Sequence, residues 1–331
     1  MIPITHVPVT SVAKGIHRLG PLETGHRSGP TSPYVVVGND RAMVAEPGQD
    51  GQVPGIIEGL KVLGVDIDAV EYVWASHIHL YHIQGLSVLL KELPKAKFLV
   101  HPRGAAHVIE PTRLMESTRQ IWDVENTPEE RGTKCYGPYL AIPREKVISV
   151  EDNQVIDLGG KQMQIIYAPG HAPHHMGLFD RETRALFAGD GVMHAEAGRV
   201  RGHHDIRPPY FDLEKFLQTV ARYRSLNPSM LLIHSRGGAY FSVEDTLRWA
   251  EEDHLAIERI CRDGMKRGLS FKEIVQKVDE YSGAVGSQPS AERRGSPEFS
   301  SGGLAGMFAY INRKDPSLEL PKNLTRKMRG E

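Results

Sequence analysis

Residues 76–85 read SHIHLYHIQG and set His77, His79 and His82 within six positions. Neutral imidazole is a common ligand of zinc and iron. Histidines at i and i+2 of an extended segment point to the same side, so His77 and His79 can grip one ion. His82 follows where a helix begins and can face a second ion. Three later stretches supply more ligand types: His171 in APGHAPHH, Asp190 in LFAGD and His234 in LLIHSRGG. Each follows an apolar, strand-like run. Such a set can hold a metal ion, which would activate bound water. The chain has no GxSxG nucleophile elbow, which agrees with a nucleophile that is not a side chain.

These residues need strands that end at a common place. SPYVVVGNDRAMVAEPG reads as two strands turning at Gly38-Asn39-Asp40. An amphipathic helix is predicted over residues 53–63. The strand AVEYVWAS then runs into the histidine cluster, and the helix GLSVLLKEL and the strand KAKFLVHP follow. The cluster therefore lies on a loop between a strand end and a helix start, where functional groups commonly sit. RGAAHVIEPTRLMESTRQIW reads as helix broken at Pro111. EKVISV, NQVIDLGGKQMQIIYAPG, MGLFDRETRALFAGD and SMLLIHSRGG supply further short strands, with a helix at residues 213–225 before the last. Residues 243–277 have a helical pattern, SGAVGSQPSAERRGSPEFSSGG reads as linker, and LAGMFAYINR is a short apolar helix. That last helix can dock on its own core, make a homodimer contact or form a lid.

Composition narrows the function classes. The 331 residues are 40% hydrophobic and 24% charged, ordinary values for a soluble globular chain. Lys and Arg number 40 against 41 Asp and Glu, so no global charge draws the chain to nucleic acid or to an anionic membrane. No run reaches the roughly 18 apolar residues of a spanning helix, and the first residues lack the basic start and apolar run of a secretory signal. Cys135 and Cys261 read as free thiols, which fits a cytoplasmic protein. The expected partner is a small-molecule substrate. The 16 histidines are many for this length, and they cluster.

The order of these pieces resembles the metallo-β-lactamase-fold hydrolase superfamily, with its HxHxDH stretch, its His after PGH, its Asp in a GD pair and its final His. The resemblance covers roughly residues 30–240. It implies an α/β fold, a four-layer αβ/βα sandwich with the site at one edge of two sheets. A catalytic domain over residues 1–245 and a C-terminal helical extension over 246–331 are expected. It also implies roles: His77, His79 and His171 on a first metal, Asp190 bridging, and His82 and His234 on a second metal with the acid expected at position 81. Zinc, as one or two ions, is the implied cofactor, with iron or manganese as alternatives.

At position 81 the chain carries Tyr, so HIHLDH becomes HIHLYH, and Gln84 stands where relatives often have Gly. Three roles are open to Tyr81. It can ligate the second metal as phenolate, although its ordinary pKa is near 10. It can remain a phenol and donate a hydrogen bond during the reaction. It can weaken the second site and leave a one-metal enzyme. Tyr81 and Asp190 are accordingly the expected catalytic residues. The His- and Arg-rich stretch MHAEAGRVRGHHDIRPPY offers His194, Arg201 and Arg207 to a substrate. Glu46, His174 and His175 are expected behind the ligands or in the pocket wall, and His101 and His107 to be structural. The expected reaction is hydrolysis of an ester, lactone, thioester or phosphoester, esters and lactones foremost. The alternatives are a mononuclear iron oxidoreductase of the same fold and a non-catalytic binding protein.

Overall fold

The structure, a computed structural model, describes residues 7–23, 31–122, 139–192, 206–207, 209–234, 238–240, 242–285, 304–321 and 324. Two sheets carry the fold. The first is seven-stranded, in the order β1 (Val9–Ala13), β2 (Ile16–Leu19), β3 (Tyr34–Val37), β4 (Ala42–Ala45), β5 (Val70–Trp74), β6 (Lys97–Val100) and β7 (Val147–Ser149). The second runs β13 (Gly238–Tyr240), β12 (Met230–Ile233), β11 (Ala185–Phe187), β10 (Met176–Asp180), β9 (Gln162–Tyr167) and β8 (Val155–Asp157). The helices are α1 (Val53–Val62), α2 (Leu80–Ile83), α3 (Leu86–Glu92), α4 (Pro102–Ile109), α5 (Thr112–Trp122), α6 (Leu213–Ser225), α7 (Val243–Lys266), α8 (Phe271–Ala284) and α9 (Ala305–Lys314).

Side-chain alternation along the strands builds the layers, since successive residues of a strand face opposite sides. Tyr34 and Val36 of β3, Met43 and Ala45 of β4 and Trp74 of β5 point inward, and meet Ile165, Leu178, Ala185, Phe187 and Leu232 of the second sheet. Their neighbours Val35, Val44 and Val73 point outward to α1, α3 and α4. On the far side Ile166, Leu186, Leu231 and Ile233 pack on α6, α7, α8 and α9. Helix, sheet, sheet and helix thus stack around separate apolar layers, which is the expected four-layer sandwich. Trp74, Tyr34 and Phe187 lock its centre: the Phe187 ring meets Tyr34 edge-on at 5.2 Å and Trp74 at 6.1 Å. Contacts of this kind add about 0.5–1.5 kcal/mol beyond burial.

The hairpin at Gly38 joins β3 to β4, and Pro111 separates α4 from α5, as the sequence predicts. The helical span expected over residues 243–277 is instead two helices. Ser270 caps α8: its hydroxyl accepts from the Glu273 N–H while the Glu273 carboxylate accepts from the Ser270 N–H. This reciprocal capping ends one helix run and starts another. The pair β1 and β2 extends the first sheet beyond the elements anticipated from sequence. The expected boundary between residues 245 and 246 falls inside α7, and α7, α8 and α9 share one apolar cluster with the second sheet. The apolar C-terminal helix docks on that core through Met307, Phe308 and Ile311. Among the described residues no helix is long and apolar enough to cross a membrane.

Candidate metal centre

Strand direction brings the chemistry to one edge. β4 and β5 run parallel, as do β11 and β12, while β9 is two antiparallel steps from β11 and so points the same way. Glu46 follows β4, His77 and His79 follow β5, His171 follows β9, Asp190 follows β11 and His234 follows β12. The two sheets are tied together at this edge. The Ser32 N–H donates to the His234 carbonyl (2.9 Å), the Met176 N–H to the Ser76 carbonyl (2.7 Å) and the Tyr34 hydroxyl to the Ile233 carbonyl (3.1 Å).

His77, His79, His171 and Asp190 converge on one point. His79 Nδ1 lies 2.8 Å from His77 Nε2 and 3.0 Å from His171 Nε2. Asp190 Oδ2 lies 3.6 Å from His77 Nε2 and 3.4 Å from His171 Nε2. Ligands about 2.0–2.2 Å from a tetrahedral ion stand about 3.3–3.6 Å apart, so the carboxylate separations fit directly, while the nitrogen pairs stand at hydrogen-bond distance and part by a few tenths of an ångström to share an ion. Burial, reinforced by neighbouring histidines, holds the His77 and His79 pKa values well below the ordinary range. Both rings stay neutral and keep a lone pair for an ion. Three imidazoles and a carboxylate are a donor set suited to zinc.

His82 Nε2 lies 3.5 Å from Asp190 Oδ2, and it is buried with no hydrogen-bond partner. Its other nitrogen, Nδ1, is 2.5 Å from Glu46 Oε2. Burial works against charge on His82, but the carboxylates of Glu46 and Asp190 outweigh it and raise its pKa. Glu46 responds in the opposite direction: burial opposes its charge, yet His82 beside it lowers its pKa. Glu46, His82 and His234 could be grouped as ion ligands. However, the Glu46–His82 distance is that of a hydrogen bond, and Glu46 Oε1 accepts from the Ser76 N–H at 3.1 Å. A carboxylate behind a histidine in this way fixes its tautomer and orientation. Glu46 has φ +57°, a left-handed backbone that non-glycine residues seldom adopt, and is 2% exposed. The turn that holds it is therefore strained and overdetermined by its surroundings.

The supporting shell is largely hydrogen-bonded. Ser76 Oγ is 3.1 Å from His77 Nδ1, and the Asp190 N–H donates to His175 Nε2 at 3.0 Å. Burial, with His171 nearby, pushes the His175 pKa down to about 3, consistent with its neutral acceptor role. His175 is thus the member of the His174–His175 pair that acts behind a ligand. Burial, with His171 and His175 beside it, also pushes His174 down to about 3. Gln84 holds the 46–50 turn, its side-chain oxygen accepting from the Asp50 N–H at 2.8 Å. Gly170 sits at φ +138°, where a Cβ would come 2.4 Å from Phe216 Cα, so the turn aiming His171 requires glycine. His101 caps α4: its Nδ1 accepts from the Arg103 N–H at 3.0 Å and its ring lies tilted against Tyr167, centroids 4.2 Å apart.

Tyr81 is half-buried, and its hydroxyl donates to Asp190 Oδ2. Its carbonyl is 3.2 Å from His234 Nε2, which must therefore carry the proton. Burial, with His82 nearby, pushes the His234 pKa down to about 4. Of the expected substrate residues, Arg207 stands near enough for its charge to lower the His79 pKa. The helix α9 holds its backbone, since the Gly306 N–H donates to the Ile206 carbonyl at 3.0 Å. His194 and Arg201 lie outside the described residues. Sequence reasoning missed the specific pairings of Glu46 with His82 and of His175 with Asp190; only the position of Glu46 in AEPG and the run of histidines after PGH hinted at them.

A family model described as the Metallo-beta-lactamase superfamily matches residues 26–235. The Metallo-beta-lactamase fold-containing protein ST1585 of Sulfurisphaera tokodaii is 29% identical over 216 residues, covering 64% of this chain and 72% of that protein. A crystal structure of ST1585 superposes with a TM-score of 0.56 at 25% identity, over 73% of this chain and 86% of that one. A metallo-beta-lactamase family protein of Thermus thermophilus, TTHA1429, shares the fold with a TM-score of 0.63 at 17% identity, over 92% and 95% of the two chains. An atrochrysone carboxyl ACP thioesterase of Aspergillus fumigatus is 30% identical over 100 residues, 30% of this chain and 28% of that protein.

Proposed function

Because this chain belongs to the metallo-beta-lactamase superfamily, we propose that it is a metal-dependent hydrolase of activated acyl compounds, with thioesters the favoured substrate class. The observation that carries the reading is the convergence of His77 Nε2, His79 Nδ1, His171 Nε2 and Asp190 Oδ2 on one point. A divalent ion held there would lower the pKa of water toward neutrality and polarise a carbonyl. Zinc suits the donors best, with iron or manganese as alternatives. His77, His79 and His171 supply neutral nitrogens. Asp190 supplies an oxygen, with its backbone N–H held by His175. Glu46 and Ser76 hold His82 and His77 in place.

Two considerations favour a thioester over the other classes. The similarity to an ACP thioesterase lends chemical precedent. The Tyr81 hydroxyl is committed to Asp190, and a thiolate, whose ordinary pKa is near 8.5, leaves without the proton that an alkoxide needs. Arg207, together with His194 and Arg201, is proposed to contact the substrate; its cationic head suits a carboxylate or phosphate on the acyl carrier.

The test is turnover of a panel of acyl thioesters, aryl esters, lactones and phosphoesters by the zinc-loaded protein. Thioesters are expected to turn over fastest, and His77→Ala to reduce that rate by at least about 100-fold, the scale of losing water activation. Loaded protein that hydrolyses none of the four classes would overturn the proposal. Preferred turnover of another class would overturn only the thioester assignment.

A further inference from the structure

The role of Tyr81 can be taken further, resting on the reading that His77, His79, His171 and Asp190 hold a metal. We propose that this protein is a one-metal enzyme in which the Tyr81 phenol has taken the place of the second ion at Asp190. Three contacts carry the inference. Asp190 Oδ2, the oxygen that would have to reach a second ion, already accepts the Tyr81 hydroxyl and stands 3.4 and 3.6 Å from the first-site nitrogens of His171 and His77. His234 directs its Nε2 proton to the Tyr81 carbonyl at 3.2 Å, so that nitrogen has no lone pair to offer. The Tyr81 ring lies over His82, centroids 4.3 Å apart, half-buried where an acid at this position would project a carboxylate.

The remaining carboxylate of the region does not rebuild a second site. Glu46 approaches His82 through Nδ1 at 2.5 Å, on the ring edge opposite Nε2, and its other oxygen is engaged by the Ser76 N–H. Two ligands of one ion stand about 3.3 Å apart, whereas this pair shares a proton. Among the described residues the second-ion region thus retains two imidazole nitrogens without a hydrogen-bond partner, His82 Nε2 and His234 Nδ1, and a phenol where the acid would stand. A phenol that directs its proton to Asp190 Oδ2 has no charge to offer zinc in place of a carboxylate. Tyr81 is a positioning residue in this account, since its hydroxyl orients the Asp190 carboxylate by hydrogen bonding.

The experiment counts ions rather than turnover. Chelator-treated protein is titrated with zinc by calorimetry, and bound zinc per chain is measured by elemental mass spectrometry after gel filtration. The wild type is expected to hold one zinc and Tyr81→Asp two, because a carboxylate restores the missing ligand and takes the phenol off Asp190 Oδ2. His79→Ala, which breaks the first site alone, is expected to hold none. Two zinc ions in the wild type, or one retained by His79→Ala, would overturn the inference while leaving the metal-centre reading intact. No zinc in the wild type would overturn both. Should Tyr81→Asp fail to fold, as judged by circular dichroism, the wild-type and His79→Ala counts still decide the matter.

Discussion

Removing the Glu46 carboxylate separates a supporting role from a ligand role. Glu46 is 2% exposed, accepts from the Ser76 N–H and pairs with His82 Nδ1 at 2.5 Å. Deleting one partner of a buried charged pair costs about 3–5 kcal/mol. His82 can shed its proton in response, so Glu46→Ala is expected at the low end, about 3 kcal/mol. At about 2.1 cal/mol/K per residue, unfolding entropy over 331 residues is about 0.7 kcal/mol/K, which makes the shift about 4 °C in Tm. Glu46→Gln keeps an acceptor and should lose about 1 kcal/mol, near the net value of one hydrogen bond. The assay is thermal unfolding in excess chelator, followed by zinc titration of the same variants. Because Glu46 holds His82 through direct contact, the loss appears without metal, and zinc affinity falls about 10–100-fold as well if His82 assists binding. Metal-free Glu46→Ala melting within about 1 °C of the wild type would refute the reasoning and return Glu46 to the ligand set.

Other outcomes follow from the same contacts. Gly170→Ala forces a Cβ to within 2.4 Å of Phe216 Cα, so overpacking of about 1–3 kcal/mol and displacement of His171 should show as a lowered Tm and weakened zinc binding. Trp74→Ala, in the inner layer, should cost about 3–5 kcal/mol with little change in the zinc affinity of whatever remains folded, measured by denaturant melts and titration. Metal-free stability should be greatest near neutral pH. His174 and His175 are held near 3 and His234 near 4 in the fold, while unfolded histidine titrates near 6.5. The unfolded state therefore binds more protons below pH 6.5, and each such residue costs about 2 kcal/mol by pH 5. His82, whose pKa is raised, acts in the other direction: its contribution is complete below pH 6.5 and fades as pH rises through the folded value. Denaturant melts across pH 5–9 check both limbs, and a stability that keeps rising as pH falls from 7 to 5 would contradict the buried neutral histidines.

Much of this protein is local in the chain and was determined there. The i, i+2 spacing of His77 and His79 aims two rings from one loop, and apolar runs before His171, Asp190 and His234 mark the strands that carry them. Alternating side chains in β3, β4 and β11 encode the layers, and Pro111 and the Ser270–Glu273 pair encode helix limits through backbone chemistry confined to a few residues. What depends on distant residues only the tertiary structure decided. Glu46 meets His82 across 36 positions, His175 supports Asp190 across 15, and Tyr81 reaches Asp190 across 109. The choice among the roles of Tyr81 turned on where one hydroxyl and one carbonyl point once two sheets close, and α9 joins the second-sheet core although a linker-like stretch separates it in sequence. Ligand type is a property of the residue, whereas the partner that fixes its proton, its orientation and the number of ions it can share is a property of the packed edge.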